Sequence, residues 1–502
     1  MRFSWSYLFA TPIALAAIAP LLILFILADD YASVFALRNL ELLLNTLALA
    51  SLSAGGSILI GVPLAFFLSF VRVPLPRLFL ALFAAPLAVP SYLGAFTFYA
   101  AFGAGGELES WLGLATPSVG GLWGAALVIS LYTYPFVMLT VRAALLNQDV
   151  NVVDAARTLG LSLGASLVAV VLPRVLPSIA AGALLSALYA ISDFGTPSIM
   201  NFDTFTRLIY VEYNAYGLAQ AALFSLQLLL LVALVLFLEG RLRVTKEHPG
   251  RALRLALSKV ELALALILFL PILLLSVGLP LSVFTSWFLR EGVAGFDPTL
   301  AWNSAIASAL AALVAMLAAI PVALAARRGS FGRVLERVSF FGFGIPGIVM
   351  GTVLVYLGLQ LPLLYQTLSL LVLAYVMRFF SLAVGSARSS FEKLDSGLTD
   401  AALLLGASKF EAFWRVTFPL SLRGVLAGAA LVFLEAMREL PATLMLAPTG
   451  FETLATYLWR VYEAGYFGRA AIPSLLLLVL STCGLLVVLL GEKQPDDQVR
   501  EQ

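Results

Sequence analysis

Five ionisable residues fall deep inside runs that are otherwise largely apolar: Asp193, Arg378, Glu435, Arg438 and Glu439. A charge at the centre of a bilayer costs roughly 2.5–3.5 kcal/mol on insertion scales. Such residues therefore pair, face a bundle interior or line a wet path. Glu435, Arg438 and Glu439 stand at i, i+3 and i+4, on one face of a helix. Arg378 is a candidate partner for Glu439 or Glu435 from another run, and for Arg378, Glu435 and Arg438 a structural ion-pair network is the preferred reading. Asp193 has no cation nearby in sequence. It matches Glu439 in position, and the expectation is that the two acids face each other across a pathway suited to a cation. Tyr99, Tyr189 and Tyr356 could ligate a hard metal ion, although tyrosines in such runs more often pack or anchor at an interface. The chain has one histidine, His248, and one cysteine, Cys483. A site of His and Cys ligands and an intrachain disulfide are excluded, and no metal ligand is assigned.

A second constellation occurs twice. Asp154 to Pro173 reads DAARTLGLSLGASLVAVVLP, and Asp400 to Pro419 reads DAALLLGASKFEAFWRVTFP. Each copy has an acid, two alanines, a glycine six residues after the acid and a proline thirteen after the glycine. Ala155, Ala156, Ala401 and Ala402 favour helix and leave room for another surface to approach closely. Gly160 and Gly406 allow a tight turn at the helix end. Pro173 and Pro419 are expected at the start of the next span. Each copy thus predicts a short helix, a turn and re-entry into the membrane. One such helix would suit the bilayer surface or a partner's groove equally. Two at matching positions favour a two-fold partner.

The elements that carry these residues follow from composition. Of 502 residues, 61% are hydrophobic and 12% charged, and mean hydropathy is +1.00. A soluble domain has about 45–50% apolar and about 25% charged residues, so a soluble enzyme, a disordered chain and a coiled coil are excluded. The net charge of +2 gives no reason to expect nucleic acid. Twelve apolar runs are long enough to cross a bilayer: 11–28, 42–71, 78–102, 120–146, 173–200, 218–239, 261–285, 300–326, 338–360, 365–388, 419–447 and 471–491. The first has no convincing cleavage site and reads as a span, not a removed signal peptide. With the N-terminus inside, the inner segments hold 23 of the 30 Lys and Arg residues and the outer loops hold five. By the positive-inside rule both termini are expected in the cytoplasm.

The chain is an all-α tandem duplication of two six-span halves. Asn45-Thr46 matches Asn303-Ser304, and Pro63 matches Pro321, both at an offset of 258. Arg142 and Arg388, the two loops, and Asp193 and Glu439 match at 246. The expected organisation is a first half, 1–239, a basic cytoplasmic linker, 240–260, a second half, 261–491, and a polar cytoplasmic tail, 492–502. Six spans per half gives a parallel repeat, with a pathway between the halves. Pro86, Pro90 and Gly94, and Pro346, Gly347 and Gly351, interrupt equivalent runs as packing sites or hinges.

The paired loops resemble the EAA loop of ABC importer permeases, with Asp in place of the usual first Glu. The fused form is similar to the ferric-iron permeases, with thiamine permeases as close relatives. The stretches Ser192-Asp193-Phe194-Gly195-Thr196-Pro197 and Arg438-Glu439-Leu440-Pro441-Ala442-Thr443 lean toward iron. The resemblance implies that Asp154, Ala155, Ala156, Gly160, Asp400, Ala401, Ala402 and Gly406 form two coupling sites for a cytoplasmic ATPase dimer. It also implies a periplasmic substrate-binding protein and a place in the bacterial inner membrane. No Gly-x-x-x-x-Gly-Lys-Ser/Thr stretch occurs, so the chain is expected to be no enzyme and to bind no cofactor, with ATP and Mg on the partner. Thiamine or an oxyanion is the alternative cargo. An ion-gradient-driven secondary transporter is the remote alternative, and it would have no use for the loops.

Overall fold

A computed structural model describes residues 5–28, 36–148, 150–215, 217–241, 258–293, 295–327 and 329–491. His248, linker residues 242–257 and the tail lie outside the described residues. The described elements are helical throughout. Ten helices are long and apolar enough to cross a membrane. The pair Pro76–Ala88 and Ser91–Ala101, bent by 85°, makes an eleventh. The run expected at 338–360 is instead broken, and its longest helix is the 14-residue Gly347–Gln360. All twelve expected runs thus meet a helix or a set of broken helices; 78–102 and 338–360 break at the prolines Pro90 and Pro346, and 173–200 and 419–447 break at their acids.

Each half has the same three-helix centre. In the first, Leu37–Phe70, Gly121–Leu146 and Leu172–Ser192 pack together. In the second, Thr299–Ala326, Leu368–Glu392 and Phe418–Met437 do so. Where the first three meet, the buried hydroxyls of Ser57, Thr133 and Ser186 bond one another at 2.7–2.9 Å. Satisfied hydroxyls of this kind hold helices together where the surroundings offer no water.

The first helix of each half crosses to the other. Trp5–Leu27 packs on Thr299–Ala326, and Tyr7 meets Phe331 at 5.7 Å between ring centroids. Phe269, in the first helix of the second half, packs on Phe67 and Phe83 at 5.2 and 6.1 Å. The two sequence halves are therefore interlocked.

The duplicated motifs have matching structural duties. Asn45 donates to the Asp203 carbonyl at 3.1 Å and Asn303 to the Glu452 carbonyl at 2.9 Å. Their neighbours Thr46 and Ser304 accept from the amides of Phe205 and Leu454 at 3.3 and 2.8 Å. Each Asn-Thr/Ser pair pins the loop that follows the Asp193 or Glu439 segment.

Candidate functional site

The loop helices are Val150–Thr158 and Ser396–Leu404. The first carries Asp154, Ala155 and Ala156, and the second Asp400, Ala401 and Ala402. Gly160 and Gly406 follow at φ +95° and +91°, a backbone shape that side chains other than glycine's adopt at a cost. A Cβ at either glycine would touch nothing within 4 Å, so conformation and not crowding requires glycine there. Ser162 and Ser408 then cap the next helices, accepting from Ala165 and Glu411 amides at 3.2 Å. Asp154, Ala155, Asp400 and Ala401 are exposed. So are large apolar side chains: Leu159 is 86% exposed, and Leu404 and Leu405 are each 88%.

The re-entrant helices begin about ten residues before the expected prolines. Leu163 and Lys409 start continuous stretches that run to Ser192 and Met437. Pro173 and Pro419 are accommodated inside them by a wide turn. The amide of Leu172 bonds the carbonyl of Leu167, and that of Phe418 bonds Phe413, five residues back in each case. Proline cannot donate four residues back and its ring crowds that carbonyl, and widening the turn removes the conflict. The same device precedes Pro280, where the Leu279 amide bonds Leu274.

The acids Asp193 and Glu439 do not lie within helices, as expected from the apolar runs, but at breaks. Asp193 ends the Leu172–Ser192 helix and precedes Gly195–Ile199. Glu439 follows the Phe418–Met437 helix and precedes Pro441–Leu446. Each carboxylate accepts from the short helix it precedes. Asp193 Oδ1 takes the Gly195 amide at 3.1 Å, and Glu439 Oε1 takes the Ala442 amide at 3.1 Å.

Beyond this the halves differ. Glu439, 5% exposed, pairs with Arg378 Nε at 3.3 Å. Asp193 has no basic partner among the described residues; its Oδ2 accepts from Ser91 Oγ at 2.9 Å. The residue at the place of Arg378, by the 246 offset, is Tyr132, whose buried hydroxyl has no hydrogen-bond partner among the described residues. Glu435, Arg438 and Glu439 do not act as one local cluster either. The helix ends at Met437, so Glu439 turns to Arg378, while Arg438 pairs with Glu435.

A cavity of about 120 Å³ lies between the halves. Ser91, Tyr92, Tyr189, Ser192 and Asp193 line it from the first half, and Arg378, Glu435 and Arg438 from the second. Asp193 and Glu435 thus face a common space, whereas Glu439 is not among its lining residues. Of the three tyrosines singled out in the sequence, Tyr189 lines this cavity. Tyr99 lies in a separate space beside Glu107 and Arg290. Tyr356 is half-buried in Gly347–Gln360. No cluster of three His, Cys, Asp or Glu side chains able to hold a metal occurs among the described residues. The role of Ser91 was not visible in the sequence. The one signal was Pro90, which precedes the helix that brings Ser91 to Asp193.

The molecule is a duplicated helical bundle with two exposed loop helices and a cavity between its halves. Residues 57–243 and 311–493 each match the binding-protein-dependent transport system inner membrane component. The chain belongs to this family. Each match contains one loop and one acidic break. An Fe(3+)-transport system permease protein of Haemophilus influenzae is 31% identical over 461 residues, 88% of each chain. A probable ABC transporter permease protein of Sinorhizobium fredii is 24% identical over 85% of this chain and 82% of its own length. A probable molybdenum ABC transporter permease protein of Haloferax volcanii is 37% identical, but over only 38% of this chain and 74% of its own. The protein is a multi-pass ABC importer permease built as a fused pair.

Proposed function

We propose that this chain is the permease of an ATP-driven importer that takes ferric iron from a periplasmic binding protein. The carrying observation is the pair of exposed loop helices, repeated at an offset of 246 with the same glycine geometry. Leu159, Leu404 and Leu405 extend out of the bundle beside the small residues of the loops. Apolar side chains held off the bundle in this way suit the grooves of a soluble partner. Two such loops suit a two-fold ATPase dimer, with one loop seated on each subunit. The distribution of Lys and Arg supports a cytoplasmic location for the loops and both termini.

ATP binding would draw the partner's two subunits, and with them the loops, together. The long helices that continue from Leu163 and Lys409 would carry that movement to the breaks at Asp193 and Glu439. Iron as cargo is supported by the relative that matches along 88% of both chains. The partial match to the molybdenum permease keeps an oxyanion as the second reading.

The test is the double variant Ala155→Arg with Ala401→Arg. Both positions are exposed, so folding should be kept. The variant should reach the membrane at normal levels, fail to co-purify with the ATPase and lose uptake by at least tenfold. Retained co-purification and uptake would remove the loops from the coupling role.

A further inference from the structure

The bend at Val89–Pro90 has a consequence for the backbone. In a continuous helix the carbonyls of Leu87 and Ala88 would accept from the amides of residues 91 and 92. The 85° turn directs those amides into a new helix, Ser91–Ala101, and leaves the two carbonyls open inside the bundle. Arg438, from the other half, fills the gap. Its Nη1 donates to Ala88 O at 3.0 Å and to Leu87 O at 3.4 Å. Its Nε donates to Glu435 Oε2 at 3.1 Å, and its Nη2 also pairs with Glu435. The planar fork of a guanidinium grips the carboxylate in two places while another N–H serves the carbonyl pair, a bidentate geometry that an ammonium lacks.

The bridge is one-sided. By the 246 offset the first-half residue at the place of Arg438 is Ser192, and Tyr189 stands at the place of Glu435. Neither can make the same contact. Arg438, Glu435, Ser192 and Asp193 all line the cavity between the halves. At about 120 Å³ that cavity has room for several waters.

We propose that Arg438 is the latch of the transport pathway. Clamped by Glu435, it binds the Leu87 and Ala88 carbonyls of the opposite half and narrows the space beside Asp193. Transport requires that bridge to break. When it does, the Asp193 carboxylate that already lines the space faces it without the guanidinium, and a cation can take the guanidinium's place. The inference rests on the importer reading for its purpose, but its test does not need the partners.

In a Cys483→Ser background, Ser192→Cys places one thiol in the cavity. The probe is a membrane-impermeant trimethylammonium methanethiosulfonate, applied to membrane vesicles holding the permease alone. With Arg438 present, labelling should be slow. Arg438→Met should raise the labelling rate at least tenfold, Arg438→Lys should fall between, and Glu435→Gln should raise it several-fold by freeing the latch. Unchanged labelling in folded Arg438→Met and Glu435→Gln would overturn the proposal. Failure of both variants to fold would also overturn it, because Arg438 would then be a structural strut. Loss of ATP dependence in the whole system, with these rates as expected, would instead count against the importer reading.

Discussion

Gly347 sits where the second half brings its charged pair closest to the backbone. A Cβ there would overlap Arg378 Nη1 and Glu439 Oε1. Gly347→Ala should force the pair apart and lower stability by about 1–3 kcal/mol, the usual cost of overpacking. Gly385, with nothing within 4 Å of a Cβ, should accept alanine unchanged. Thermal unfolding of the two purified variants in detergent checks the contrast. Asp193→Asn keeps an acceptor for the Gly195 amide and a polar atom for Ser91, but removes the charge. Membrane levels should hold while uptake falls at least tenfold, and wild-type uptake would take Asp193 out of the pathway. The match between Asp193 and Glu439 was legible in the sequence, because polar, Gly and Pro positions kept their spacing. Of their different partners, Arg378 was already a candidate for Glu439 from the sequence, and the structure pairs them. Ser91 at Asp193 was not legible, because it reaches the acid across the bundle and spacing along one chain carries no record of that.

Elements were legible by kind and less so by boundary. Apolar runs fix where a helix can cross, but proline was read as a start when it lies inside a longer helix. The wide turns before Pro173, Pro280 and Pro419 absorb it. Pro173→Ala restores an amide and removes the ring, so the turn can tighten to the ordinary helical spacing. That would rotate the loop helix relative to the Leu172–Ser192 helix. ATP hydrolysis by the assembled complex should then persist while uptake per ATP falls, which paired hydrolysis and uptake assays would detect. Gly160 and Gly406 matter differently. Alanine at φ +95° or +91° costs about 1–2 kcal/mol locally. The loss should appear in ATPase binding before it appears in folding, because a Cβ at either glycine meets no other part of the bundle.

At the scale of the whole molecule, the duplication was visible but the interlock was not. Each half's first helix packs on the other half, an arrangement that no repeat offset encodes. A first half made alone should therefore be protease-sensitive, while a chain cut within the linker and co-expressed should reassemble. The central claim is that this interlocked pair moves ferric iron under the control of ATP. The most direct measurement reconstitutes the permease in liposomes with its ATPase and binding protein, and follows ATP hydrolysis and iron uptake together. The account predicts that both require all three proteins and iron-loaded binding protein, and that neither responds to molybdate. Uptake driven by an ion gradient without the ATPase, or stimulation by an oxyanion-loaded binding protein in place of iron, would contradict it.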